Sequence, residues 1–214
     1  MAMTDNPVGI ASEGSIGPHP SSPFITVDVE LVVLVDDEHD LIVRAAATGT
    51  DTMAATWVLR TGDDIADIPG RFDLPLHAVI VRPNEGPPRP VFKGLRHAAD
   101  IDAAVTGCAD ASADQRARLE TNLRAHQCPS RRPVIHLAAT LLAARLAARC
   151  PRCESAGWVP VDIVTGIPCD WCGDLVDEVR AEIDGCLACS HRFERPLVSA
   201  DATADPGRCQ GCNP

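Results

Sequence analysis

Tyrosine is absent and aromatic residues make up only 3% of the 214-residue chain, so a core has to be assembled from Val, Ile, Leu and Ala rather than from large rings. No stretch approaches the roughly 18 consecutive apolar residues of a membrane-spanning helix, which argues against a membrane protein. The opening Met1 to Gly9 has neither the basic start nor the apolar run of a secretory signal. A cytoplasmic location follows as the expectation. Positive charge is also scarce, with 19 Lys and Arg against 30 Asp and Glu for a net charge of −11. Such a surface repels phosphate backbones and makes nucleic acid a poor partner. Lys93 is the one lysine beside 18 arginines, a skew that reflects GC-rich codon usage better than it reflects function.

What the chain does contain is a near-average hydrophobic share, 45%, with 23% charged residues, which suits a folded domain plus a small module. The first half reads as mixed α and β. Ser12 to Pro20 is a glycine- and proline-marked loop. Val27 to Val35 and Leu41 to Ala47, separated by a polar turn, form a hairpin. A short helix at residues 62–70, strands at His77 to Arg82 and Val91 to Leu95, and a helix from Arg96 to Thr106 follow, with Arg116 to Leu123 open between strand and helix. The clearest helix starts after Cys128-Pro129-Ser130, where Val134, Leu137, Ala138, Leu141 and Leu142 recur at helical spacing and Arg145 suits the C-terminal end. It runs to Ala148. The fold class is therefore α+β over residues 1–149, followed by a small β-rich module over residues 150–214.

Ten cysteines set the second half apart. Eight of them fall in four pairs with a two-residue spacer: Cys150 with Cys153, Cys169 with Cys172, Cys186 with Cys189, and Cys209 with Cys212. Such a spacer lets both thiolates of one tight turn face a single ion, and two turns complete the tetrahedral shell that zinc prefers. Two structural zinc ions are predicted, each in a shell of four cysteines, in a double zinc-ribbon module. The intervals between the first two pairs and the last two, 15 and 19 residues, fit zinc ribbons. Sequential pairing is the simplest assignment, although a crossed one, first with third and second with fourth, uses the same ligands. A disulfide framework is disfavoured by a reducing compartment, and a redox role calls for one such pair beside a βαβ unit rather than four.

Full thiolate shells leave no position for water, so the ions would fold a segment too poor in core residues to hold alone. From Cys150 to Pro214 there are 11 acids and 5 bases. This favours contact with a protein partner, or with the first domain, over DNA. Trp158 and Trp171 are expected to cover the cysteine turns, and His191 has no vacancy to fill as a ligand.

The runs ASEGSIGPHPSSPF (Ala11 to Phe24) and ETNLRAHQCPSRR (Glu120 to Arg132), with the closing series CPRC, GIPCDWCG, GCLAC and CQGCNP, resemble the bacterial family named domain of unknown function 6671. The resemblance implies that both halves belong to one protein and that the cysteine pairs are a regular feature. It implies no established activity. It also implies a further α/β segment, bearing His-Gly-Lys, ahead of the point where this chain begins. The family pattern DMRAHxNPTR reads here from Asn122 to Arg131, with Asn122 replacing an acid and Cys128 replacing Asn.

Glu13, Ser15 and His19 in the first run, with Arg124, His126 and Arg131 in the second, hold the candidate chemistry of the first domain. If the two segments meet, two guanidiniums, two imidazoles and a carboxylate suit a small phosphate- or carboxylate-bearing ligand near a helix start. Ser15, Arg124 and Arg131 would bind it, and Glu13, His19, Arg124 and His126 are the catalytic candidates, with an imidazole as acid or base. A divalent metal on Glu13, His19 and His126 is an alternative, as are a solvated polar loop and a nucleophilic Cys128 activated by its arginine neighbours. His39, His77, His97 and His136 show no cluster and are read as packing or solvent-facing groups.

Overall fold

The computed structural model describes residues 6–20 and 22–214. Of the opening stretch, residues 1–5 lie outside them, as does Ser21 of the first family-like run. The described chain is mixed α and β, and every strand register seen is antiparallel.

Strands β1 (Val8–His19), β2 (Ser22–Asp36) and β3 (Leu41–Gly49) form a three-stranded sheet in chain order. The loop expected at Ser12 to Pro20 is thus mostly strand. Its glycines do not break the pairing, because Gly14 and Gly17 sit within the extended backbone of β1. On β2 the usual alternation is inverted: Asp28, Glu30 and Val32 are buried while Val29 and Leu31 are exposed.

A second sheet, in order β4-β7-β5-β6, is built from β4 (Thr56–Leu59), β5 (Val79–Pro83), β6 (Phe92–Leu95) and β7 (Ala117–Thr121). Between these strands lie a single turn of helix, α1 (Ile68–Arg71), and α2 (Ala98–Ala111). The expected helix over residues 62–70 is confined to α1. Strand β4, which carries no pattern in the sequence, is only four residues long. Pairing resolves the ambiguity at Arg116 to Leu123, since β7 sits centrally between β4 and β5. Ile101, Ala104, Val105 and Cys108 of α2 close over Val79, Val81, Ala117 and Leu119 to make the main apolar core. Cys108 is fully buried there, and burial raises its thiol pKa.

After a 3-10 turn at Pro129–Arg131 comes α3 (Arg132–Ala147). Only part of its expected apolar face is covered. Ala138 and Leu142 are buried, whereas Leu137 and Leu141 stay exposed.

A third sheet, in order β10-β9-β8, contains β8 (Val159–Pro168), β9 (Leu175–Gly185) and β10 (Arg192–Pro196). Strands β8 and β9 form a long hairpin, pairing Val159 with Gly185 at one end and Pro168 with Leu175 at the other. The cysteine pairs lie at its ends. Beneath it Ile167, Val176 and Ala204 pack with Cys169 and Cys209, a core so small that thiols form part of it.

The chain groups into two compact units. One comprises residues 12–31 and 46–138 and holds the four-stranded sheet with α1 and α2. The other comprises, of the described residues, 6–11, 32–45 and 139–214 and holds the three strands of the cysteine-rich region.

The first two cysteine turns share one backbone design. In each, the leading cysteine accepts from the residue four positions on, by Glu154 N–H to Cys150 O and by Gly173 N–H to Cys169 O, both at 2.9 Å. That fourth residue takes a left-handed conformation, φ 78° at Gly173 and φ 61° at Glu154. Glycine adopts this region freely and glutamate does not. Glu154→Gly should therefore stabilise the cysteine-rich region by about 1 kcal/mol, measured by denaturant unfolding of the variant beside the parent protein.

Candidate metal centres and cleft

The eight paired cysteines assemble as two groups, Cys150, Cys153, Cys186 and Cys189 in one, Cys169, Cys172, Cys209 and Cys212 in the other, with all sulfurs of a group within 4.8 Å of one another. The pairing is crossed, not sequential. The hairpin explains it, since a ten-residue strand at about 3.3 Å per residue holds its two ends about 30 Å apart. Cys150 and Cys153 precede β8, and Cys186 and Cys189 follow β9, so both turns lie at the end where Val159 meets Gly185. Cys169 and Cys172 sit in the connection at the opposite end.

Within the first group Cys150 Sγ lies 3.9 Å from Cys189 Sγ, and Cys153 Sγ lies 3.5 Å from Cys186 Sγ. In the second, Cys169 and Cys212 are 3.8 Å apart and Cys172 and Cys209 are 3.6 Å apart. Sulfurs at the corners of a tetrahedron with metal–sulfur bonds of about 2.3 Å are about 3.8 Å apart. Disulfide sulfurs would be about 2.0 Å apart, and all these cysteines are free thiols. Each group could therefore hold a metal ion.

Backbone donors favour the thiolate form, but at Cys172 and Cys189, where the N–H groups of Asp174 and His191 donate, the neighbouring sulfurs and burial outweigh them and raise the pKa to about 12 and about 11. Arg152 N–H donates to Cys150 Sγ, and both Ala188 and Cys189 donate to Cys186 Sγ. The backbone N–H of Cys172, working against burial and joined by that of Trp171, lowers the Cys169 pKa to about 7. Ser155 lowers that of Cys153 to about 6. Trp158 stacks on His191 at 5.1 Å beside the first group. Trp171 does not cover its turn as expected: it is 78% exposed, because the spacer of a tight CxxC turn points away from the sulfurs.

A cleft of about 480 Å³ opens in the other unit, lined by Gly14, Ser15, Ile80, Asn122, Arg124 and Arg131 among others. The two sequence runs do meet, and Ser15, Arg124 and Arg131 all line the cleft. Glu13, His19 and His126 are exposed and do not line it. The strand accounts for this, because extended backbone puts Glu13 and His19 about 20 Å apart where a loop would curl them together. Among the described residues, the groups able to hold a metal are the two cysteine sets, and Glu13, His19 and His126 form no third.

Arg131, which lines the cleft, is held from behind by two acids of β2 that do not line it. Arg131 Nε donates to Glu30 Oε1 at 2.8 Å and lies 3.9 Å from Asp28 Oδ1. Its Nη1 donates to the Leu123 carbonyl. Gly14 makes the contact sterically feasible, since a Cβ there would collide with Arg131 Nη2 and Glu30 Oε2. Neither Asp28 oxygen has a hydrogen-bond partner. Two buried carboxylates thus share one guanidinium, and Arg124 is the cleft's exposed cation.

A model of the family described as Domain of unknown function (DUF6671) matches residues 1–214. The chain belongs to this family. No curated protein sequence and no solved structure matches it.

In this DUF6671 chain the sequence reading passes over Asp28 and Glu30, whose burial on an otherwise apolar strand is visible only once Arg131 is brought against them. An alternating acid pair within Val27 to Leu31 is the available signal. His77, read from the sequence as isolated, has the carboxylate of Asp73 and the hydroxyl of Ser130 placed on its ring by the fold. Among the described residues no helix is long and apolar enough to cross a membrane.

Burial, reinforced by the charge of Glu30 and opposed by Arg131, pushes the Asp28 carboxyl up to about 6. A raised carboxyl pKa means that the folded state holds a proton the unfolded state has released, so this group's contribution to stability falls as pH rises from about 4 to about 6. Asp28→Asn should melt a few degrees above the parent protein at pH 8, with the gap closing by pH 5, as read by parallel thermal scans.

Proposed function

We propose that this is a cytoplasmic protein that binds two structural zinc ions in a crossed double ribbon, and that the cleft at Ser15, Arg124 and Arg131 takes a small phosphate- or carboxylate-bearing ligand. The tetrahedral spacing of the eight sulfurs carries the zinc assignment. Zinc fits because four thiolates supply the closed tetrahedral shell it prefers, and its filled d shell is redox-silent. With no open coordination position, the ions fold the region and do not take part in a reaction. For the cleft, the support is that Ser15, Arg124 and Arg131 line it together, with the exposed guanidinium of Arg124 and the serine hydroxyl available to a ligand. Glu30 engages Arg131, so Arg124 is the principal anion contact and Arg131 chiefly shapes the floor.

A protein-docking role for the acidic cysteine-rich region is the second reading. Trp171 and Leu175, 78% and 73% exposed, favour it.

Native mass spectrometry of protein purified under reducing conditions should find two zinc ions. Cys153→Ser and Cys186→Ser should each release the same ion while Cys169→Ser releases the other, an outcome that sequential ribbons cannot produce. With inorganic phosphate as the probe, millimolar concentrations should raise the melting temperature. Arg124→Ala should abolish that rise at unchanged zinc content. An equal rise in the variant would remove the ligand reading and leave the docking one.

A further inference from the structure

We propose that Ser130, His77 and Asp73 form a nucleophilic triad that hydrolyses a carboxylic ester, a site separate from both the zinc groups and the anion cleft. His77 is buried, at 3% exposure, and both ring nitrogens are engaged. Nδ1 lies 3.1 Å from Asp73 Oδ2 and Nε2 lies 3.1 Å from Ser130 Oγ. The tautomer follows from a third contact. The backbone N–H of Ser130 donates to Nε2 over 3.3 Å, so Nε2 is the acceptor and Nδ1 carries the proton that Asp73 receives. The Nε2 lone pair is thus shared between the backbone N–H and the hydroxyl of Ser130, with the imidazole oriented by a carboxylate behind it. Nucleophile, base and orienting acid in that order are the parts an activated serine needs.

The local chain holds these groups still. Asp73, at φ 49°, begins a turn in which His77 N–H donates to the Asp73 carbonyl at 3.0 Å. Arg96 clamps the outer side of that turn, its Nη1 donating to the Pro75 and Leu76 carbonyls at 2.5 and 2.8 Å and its Nη2 to Gln127 Oε1 at 2.7 Å. On the other side, Arg131 directly follows the serine and is tied to Glu30. Ser130 Oγ has one further neighbour, Cys128 Sγ at 3.4 Å. Cys128 and His77 are buried while Ser130 is half-buried, which makes the serine the reactive residue in reach of a substrate.

In the proposed reaction Ser130 Oγ bonds to the acyl carbon as its proton passes to His77 Nε2. The ester C–O bond then breaks, and the departing alcohol takes that proton. Water attacks the acyl-serine, delivers a proton through Nε2 back to Oγ, and releases the carboxylic acid. Ester and water become acid and alcohol with no change of oxidation state. Ser130 and His77 are the catalytic residues, and Asp73 is a positioning residue.

The test uses the full, zinc-loaded chain with a fluorophosphonate probe and with p-nitrophenyl acetate under multiple-turnover conditions. Peptide mapping should find a phosphonyl adduct on Ser130. Ser130→Ala should lose both adduct and turnover, and His77→Gln should slow turnover by about 10²-fold or more. Asp73 is half-exposed, so Asp73→Asn should fold normally and lower kcat by at least about tenfold at unchanged KM, a split that a purely structural hydrogen bond would not produce. Absence of an adduct on Ser130 in the folded parent protein, or turnover by Ser130→Ala equal to that of the parent, overturns the proposal.

Discussion

The length of the β8–β9 hairpin governs the cysteine-rich region. A strand cannot be shortened to bring its ends together, so cysteine turns that are neighbours in sequence are held at opposite ends, and each can meet only a turn that returns to its own end. Crossed grouping follows from that geometry. It also brings together, within each sulfur group, segments more than 30 residues apart in sequence, so that an ion held there would close longer loops than sequential pairing would.

In the other unit a short stretch of chain serves several purposes at once. Thr121 closes β7, while Asn122 and Arg124 line the cleft. Arg131 neutralises acids buried on β2, and Ser130 meets His77. The buried ion pair is the more demanding contact, because an arginine removed from water is tolerated only when carboxylates receive it. Here two do. The surplus negative charge falls on Asp28, whose oxygens have no hydrogen-bond partner and meet the guanidinium only at 3.9 Å. The same contact anchors the backbone on one side of Ser130, so packing and chemistry converge on the same residues.

Local signals are legible wherever one residue type dominates a stretch. The β2–β3 hairpin, the strand at β5, α2 and α3 all lie close to where periodicity puts them. They mislead where pairing overrides local preference. Gly14 and Gly17 look like loop residues yet lie in β1, because a neighbouring strand satisfies their backbone groups and, at Gly14, the missing Cβ admits Arg131. Strand β4 is too short to show alternation. His77 carries no marking in its own neighbourhood, as its partner Ser130 is 53 positions away.

By itself the sequence determined the chemistry on offer: eight paired thiols able to form two four-sulfur shells, an acidic surface, a ring-poor core and membership of its family through motifs spread along the chain. Spacing within a turn is local geometry and survives in one dimension. Which turn meets which, which arginine is neutralised and which histidine faces a hydroxyl were decided only by the tertiary structure. Those are contacts across strands and between distant segments, set by strand length, register and the need to pair every buried charge, and no single stretch of sequence contains both partners.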